Sequence, residues 1–290
     1  MNHMLFTRSD GRLIRSMPGI QKITPYIMRS RAASINYFQY KLDTAAIDQY
    51  IADHEVNGRR TMSAMHIIIA AMVRTIALRP QLNRFIVHNR TYARNQIVVS
   101  FVVHRSLRVE DGGTTIKIAF NGTESLQQIV DTLNETIARE TASMDVQNDT
   151  DKLIDWFMNF PSWILRPLIA LVMKLDDYNL LPKAVLNASP FHATVFLTNL
   201  KSLGIDSVYH HQYEFGTNGL FISMGKEQPT AVGNPDGSVS VKRMMNLNLS
   251  LDERFCDGLY FAKSFKLLIR YLKNPTLLEE PLEAIEQDMP

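Results

Sequence analysis

The chain has one cysteine, Cys256, among its 290 residues. An intrachain disulfide is therefore excluded, and a reducing compartment fits. Charge of one sign is also missing. The 31 Lys and Arg residues against 29 Asp and Glu leave a net charge of +2. That balance gives no footprint for nucleic acid, whose phosphates demand concentrated positive charge. Five arginines at positions 8, 12, 15, 29 and 31 make only the N-terminal region basic, as in a solvated arm or a subunit contact. Glycine-rich phosphate loops, a Gly-x-Ser-x-Gly elbow and a dinucleotide fingerprint are all missing. The lone cysteine and scattered histidines show no metal-ligand spacing, so no metal is expected. Residues 1–8 lack the apolar core of a signal peptide, and cytoplasm is the expected location. No repeat or low-complexity linker divides the chain. What is present is a 46 % hydrophobic composition, which suffices for one large packed domain.

Residues 9–22 are polar and broken by Gly11, Pro18 and Gly19, so 1–22 reads as an extended arm and 23–290 as the domain. Strands are expected over 37–42, 84–88, 97–104, 114–120, 193–198, 219–224 and 238–251. The run Ile97-Val98-Val99-Ser100-Phe101-Val102-Val103 has the pattern of a strand buried on both faces. Turns are expected at 110–113 and at Asn234-Pro235-Asp236-Gly237. Helices are expected over 44–54 and 63–78, capped by Thr44 and Ser63, and over 123–144 and 258–273. Strands and helices mix without strict alternation, which points to one mixed sheet covered by helices.

The stretch 156–175 is mostly apolar, yet Arg166, Lys174, Pro161 and Pro167 interrupt it. Its apolar residues recur near helical spacing, giving one or two amphipathic helices. Core or subunit packing, a lid over an acyl site, and a helix lying on a membrane surface are all open readings. A true span is the poorest fit, because that length would carry charge through the bilayer.

One segment stands apart. Leu249-Ser250-Leu251-Asp252-Glu253-Arg254-Phe255-Cys256-Asp257-Gly258 runs from an alternating strand through a charged corner into an amphipathic helix. This layout resembles the Asp-His-Arg-x-x-Asp-Gly signature of the chloramphenicol acetyltransferase-like superfamily, notably the catalytic cores of 2-oxoacid dehydrogenase dihydrolipoyl acyltransferases. Here Glu253 stands where that family has its catalytic His. Further pieces follow the family in order: Ile23-Thr24-Pro25 with Arg29 and Arg31, Arg79-Pro80-Gln81-Leu82-Asn83, Val195-Phe196-Leu197-Thr198-Asn199-Leu200, and Asn274-Pro275-Thr276-Leu277-Leu278. The 156–175 stretch departs from the family, where that region is shorter and more polar. No lipoyl attachment site is found, so a swinging-arm role is not expected.

The resemblance implies an α/β fold: a two-layer sandwich with a mixed β-sheet covered by helices on one side. It further implies a homotrimer with a channel for coenzyme A or acyl-CoA between subunits, and acyl transfer to a small acceptor. Thr198 then stands where the family's hydroxyl stabilises the oxyanion, and Glu253 where its base stands. Asp257 stands where its supporting aspartate makes an ion pair, with Arg29 or Arg31 as partner. A carboxylate is about 2 pKa units less basic than an imidazole. Glu253 is thus either a base tuned upward by burial or an ion-pairing carboxylate, for instance with Arg254. His210 and His211 lie in the loop that borders the family's channel, where one could replace the base or pair with Glu253. Adjacent residues of an extended segment point opposite ways, so at most one faces a given pocket. Cys256 reads as a nucleophile or as a small buried residue. Gly258 reads as the residue that allows a tight strand-to-helix corner. A catalytically silent CoA- or acyl-binding protein or scaffold is the alternative function.

Overall fold

Every second side chain along the central strands is apolar and buried, and that alternation sets the architecture. Leu220, Ile222 and Met224 on one strand and Met245, Leu247, Leu249 and Leu251 on the next are each at most 4 % exposed. The computed structural model describes residues 8–104, 113–142 and 155–290. The first part of the chain forms β1 (Gly11–Leu13), α1 (Gly19–Ile27), β2 (Ile35–Asp43), α2 (Ala45–Asp53), α3 (Ala64–Leu78), β3 (Arg84–Val87) and β4 (Arg90–Arg94). The middle forms β5 (Ile97–His104), β6 (Gly113–Phe120), α4 (Leu126–Ala142), α5 (Ser162–Asp177) and α6 (Lys183–Ala188). The last part forms β7 (Val195–Asn199), β8 (Leu220–Gly233), β9 (Val239–Asp252) and α7 (Gly258–Lys273).

Six strands make a sheet in the order β2-β9-β8-β7-β5-β6. Its β5–β7 and β7–β8 pairs are parallel and the others antiparallel, so it is a mixed sheet. Its apolar face packs on α2, α3, α4 and α7, through residues such as Ile47, Ile67, Leu133 and Leu272. This is the α/β sandwich with helices on one side of the sheet.

Four local outcomes differ from the sequence reading. Residues 1–22 are not wholly an extended arm: Gly11–Leu13 pairs with β4, and α1 begins at Gly19. A second, three-stranded sheet of order β1-β4-β3 accompanies the large one, where only one was expected. Its β3–β4 hairpin turns at His88 and Asn89, both at positive φ (47° and 59°), the conformation that a two-residue turn between strands demands. Val102 in β5 is 38 % exposed, so the β-branched run is buried on both faces only in part. Thr44 precedes α2, but its hydroxyl donates to Asp48 while Asp43 Oδ1 accepts from the Ala45 N–H. The turn expected at 110–113 lies outside the described residues except for Gly113, as does the expected end of a helix at Met144.

In the 156–175 stretch, residues 156–158 are helical and, after a turn, α5 follows, an amphipathic helix of which only Asp176 is buried. Trp163 is 75 % exposed and Leu171 52 %. Among the described residues no helix is long and apolar enough to cross a membrane.

Candidate active site

Side chains alternate across a strand, so the residues between those core positions face away from the helices. Across four strands, Thr198, Ser223, Asn248 and Gln39 stand in one row, and Phe196, Phe221, Ser250 and Tyr37 in the next. Ser100 joins them from β5, in register with Phe196. Ser223, Asn248, Ser250 and Ser100 are all buried. A polar face beneath a protein surface is unusual, because each buried polar group requires a partner.

An extended segment, residues 205–212, runs across β8 and supplies many of those partners. The Val208 N–H donates to Ser223 Oγ at 3.2 Å, and Asn248 Nδ2 donates to the Ser207 carbonyl at 3.2 Å. Gln212 Nε2 donates to the Gly219 and Ser250 carbonyls at 2.9 and 3.2 Å. The segment sits so close that a Cβ at Gly225 would lie 2.4 Å from Asp206 Oδ1 and from the Ser207 nitrogen. Only glycine fits there.

Of the adjacent histidines, His210 lies on the face and His211 is exposed against Tyr213. The His210 ring stacks on Phe221 with centroids 4.3 Å apart, and Phe221 stacks on Phe196 at 4.9 Å. Burial, reinforced by His211, pushes the His210 imidazole below its ordinary value, so it is held neutral. Its Nε2 is buried without a hydrogen-bond partner, and so are Ser100 Oγ, Ser207 Oγ and Gln212 Oε1. Four orphaned polar atoms thus occur, among the described residues, on the face that also carries the half-buried Thr198.

Glu253 follows β9 in the corner before α7. Its backbone N–H donates to the Ser34 carbonyl at 3.0 Å, and its half-buried carboxylate accepts from Asn36 Nδ2 on the edge strand β2. The arginine beside it is already engaged. Arg254 forks onto Asp252 with bonds of 2.9 and 2.6 Å, and both side chains are at most 5 % exposed. The ion pair considered for Glu253 with Arg254 is therefore made by Asp252. Counting along the register, two strand spacings and five residues separate Thr198 from Glu253, roughly 19 Å within one chain. Thr198 and Glu253 cannot meet in a single copy.

Asp257 caps α7: its exposed carboxylate accepts from the Tyr260 N–H at 2.8 Å. Among the described residues neither Arg29 nor Arg31 pairs with it. Arg31 is buried and donates to the Asn218 carbonyl at 2.6 Å, and to those of Gly216 and Ile86. Cys256 is 2 % exposed, and burial pushes its thiol up to about 12, which holds it protonated and unsuited to attack. Gly258 opens α7 without a positive φ, and nothing lies within 4 Å of where its Cβ would stand. The corner does not require glycine in this chain. No group of three or more metal-ligating side chains occurs among the described residues.

The polar row Ser223–Asn248 and the Asp252–Arg254 fork escaped the sequence reading. Their signal was available in Asn246-Leu247-Asn248-Leu249-Ser250-Leu251-Asp252, where polar residues fill every second position of a strand with no exposed side.

Comparison with known proteins bears on this geometry. The model of the 2-oxoacid dehydrogenases acyltransferase catalytic domain matches residues 216–279, which include Glu253 and Asp257 but not Thr198. The cubic core of the pyruvate dehydrogenase multienzyme complex superposes with a TM-score of 0.58 at 12 % identity, over 91 % of this chain and 93 % of that one. The dihydrolipoamide acetyltransferase of Azotobacter vinelandii superposes with the same TM-score, identity and coverage. A chloramphenicol acetyltransferase does so with a TM-score of 0.52 at 11 % identity, over 91 % and 100 % of the two chains. The fold is that of the chloramphenicol acetyltransferase-like acyltransferases. No curated sequence matches the chain. Within this fold, Thr198 and the Glu253 corner stand far apart in one copy.

Proposed function

We propose that the protein is a CoA-dependent acyltransferase whose site forms between copies of the chain, as a homotrimer, with Thr198 from one copy and Glu253 from its neighbour. The observation that carries this reading is the group of orphaned polar atoms on the sheet face that also bears Thr198. The separation of Thr198 from Glu253 fits a site shared between chains. For the A. vinelandii acetyltransferase, a serine, a histidine and an asparagine four positions after the histidine have been studied as parts of its catalytic mechanism. Glu253 and Asp257 have that same spacing.

The chemistry follows from these groups. An acceptor thiol, hydroxyl or amine attacks the thioester carbonyl of an acyl-CoA, and a base takes its proton. The Thr198 hydroxyl donates to the developing oxyanion, and CoA leaves as the thiol. A carboxylate at the base position gives up roughly 3 kcal/mol of driving force relative to imidazole. Desolvation between two copies raises its proton affinity and recovers part of that. His210, neutral and on the same face as Thr198, is the second candidate for the base.

The test is CoA release from acetyl-, butyryl- and longer acyl-CoAs against a panel of thiols, amines and alcohols. Turnover should fall about 10²–10³-fold in Thr198→Ala, as for loss of one oxyanion donor. It should fall in Glu253→Gln and rise in Glu253→His if Glu253 is the base. Loss in His210→Asn with no change in Glu253→Gln assigns the base to His210. Tight CoA binding without turnover in every variant, Glu253→His included, would sink the enzyme reading and leave a silent binding protein.

A further inference from the structure

A second constellation lies away from the polar sheet face, at the junction of α5, α6 and the loop that leads into β7. Ser189 Oγ is 2.8 Å from His192 Nδ1, and His192 Nε2 is 3.0 Å from Asp176 Oδ2. Asp176 can only accept, so Nε2 carries the ring proton and Nδ1 is bare. The serine hydroxyl must then donate to Nδ1. Against the opposing pull of burial, the His192 ring N–H and then Arg8, 3.0 Å from Asp176 Oδ1, hold that carboxylate below its ordinary value. Burial, the largest influence on His192, keeps its imidazole neutral and able to take a proton. Nucleophile, base and orienting carboxylate thus stand in the sequence of contacts that activates a serine.

The surroundings give this triad a substrate. Ser189 lines a cleft of about 230 Å³ walled by Leu165, Ile169, Val172, Phe191 and Phe215. His192 lines the adjoining cavity of about 380 Å³, which also holds Lys117, Lys183 and Arg94. Lys117 Nζ donates to the Ser189 carbonyl at 3.1 Å. The apolar cleft at Ser189 and the polar cavity at His192, which also has Asp10 in its wall, therefore flank the Ser189–His192 hydrogen bond. That division matches an acyl ester or thioester, with the chain in the cleft and the polar end toward the lysines.

We propose that Ser189, His192 and Asp176 form a second acyl-transfer centre that hydrolyses esters or thioesters of medium-length acyl groups. Ser189 Oγ bonds to the acyl carbon while His192 Nδ1 takes its proton. The bond to the leaving alcohol or thiol breaks as His192 passes that proton to it. Water then attacks the acyl-serine, His192 accepts its proton and returns one to Ser189 Oγ, and the carboxylic acid departs. Ser189 is only 3 % exposed, so substrate reaches it by spreading the cleft. The α5 wall permits this, because Asp176 is its only buried side chain. This centre uses neither Thr198 nor Glu253, and it stands or falls separately from the CoA-dependent reading.

The full chain, without CoA, is treated with a fluorophosphonate probe and with p-nitrophenyl acetate and butyrate. The probe should modify Ser189, located by peptide mass spectrometry, and the butyrate ester should react faster than the acetate. Ser189→Ala should lower hydrolysis by about 10³-fold or more, while Ser202→Ala, at an exposed serine, should not change it. Ile169→Arg in the cleft should slow the butyrate ester and spare the acetate. Absence of the probe from wild-type Ser189, or hydrolysis that survives Ser189→Ala, overturns the proposal. A lower Tm in Ser189→Ala with an unlabelled wild type would make the triad a structural clasp and overturns it equally.

Discussion

The two faces of the large sheet are made from the same strands yet obey opposite rules. On the helix side, Val195, Leu197, Ile222 and Leu249 are sealed into one apolar cluster. On the other side, at positions next to these along the strands, Thr198, Ser223 and Asn248, with Phe196 beside them, form a face with orphaned acceptors and donors. The first face satisfies itself; the second holds polar groups without hydrogen-bond partners among the described residues. Stability should therefore reside in one parity of the strands and chemistry in the other.

The sharpest way to break this comparison is a pair of neighbours. Leu197→Ala, on the sealed face, should cost about 2–5 kcal/mol, the range for truncating a buried leucine. Chemical denaturation measures it. Thr198→Ala should leave the midpoint almost in place while transfer is lost. A large stability loss in Thr198→Ala would show that both parities serve the core.

Lys117 sharpens the comparison on the polar side. It is in register with Ser100, and burial, with a smaller contribution from Arg94 against the opposing pull of Asp10, lowers its ammonium from 10.5 to about 7. Above pH 7 the folded chain gives up a proton that the unfolded chain still binds. Stability attributable to Lys117 should rise with pH between about 7 and 10.5, by at most about 1.4 kcal/mol per unit. Lys117→Met should remove that part of the slope in denaturation curves taken across this window. An unchanged slope would mean the lysine stays charged on its two carbonyl partners.

The smallest expected effect belongs to Asp257. As the cap of α7, a helix of the sealed face, its replacement by Ala should cost about 1 kcal/mol. Transfer activity should change little if capping is its whole role. A loss of turnover with an unaltered Tm would instead return Asp257 to the site, supported by a neighbouring copy.

Much of this was legible in the residues, and the parts that were not share a cause. The helix over Gly258–Lys273 and the strands bearing Thr198 and the Glu253 corner follow from local apolar periodicity. The small sheet was missed because Arg90-Thr91-Tyr92-Ala93-Arg94 has no apolar alternation of its own. Arg94 in it becomes buried through distant partners, reaching Thr217 Oγ1 at 2.7 Å. The Ser189–His192–Asp176 contact depends likewise on where α5 ends in space.

By itself, the order of residues determined the spacing of elements, the apolar parity that makes a sandwich, and the unusual carboxylate at the corner before the last helix. Those properties are local, fixed by periodicities of two and 3.6 residues. Only the tertiary structure decided that Asp252 takes Arg254, that His210 rather than His211 covers the polar face, and that Thr198 and Glu253 stand far apart. Which of several nearby carboxylates takes an arginine, and which polar groups are buried, depend on how the segments pack around them, and no local pattern records that.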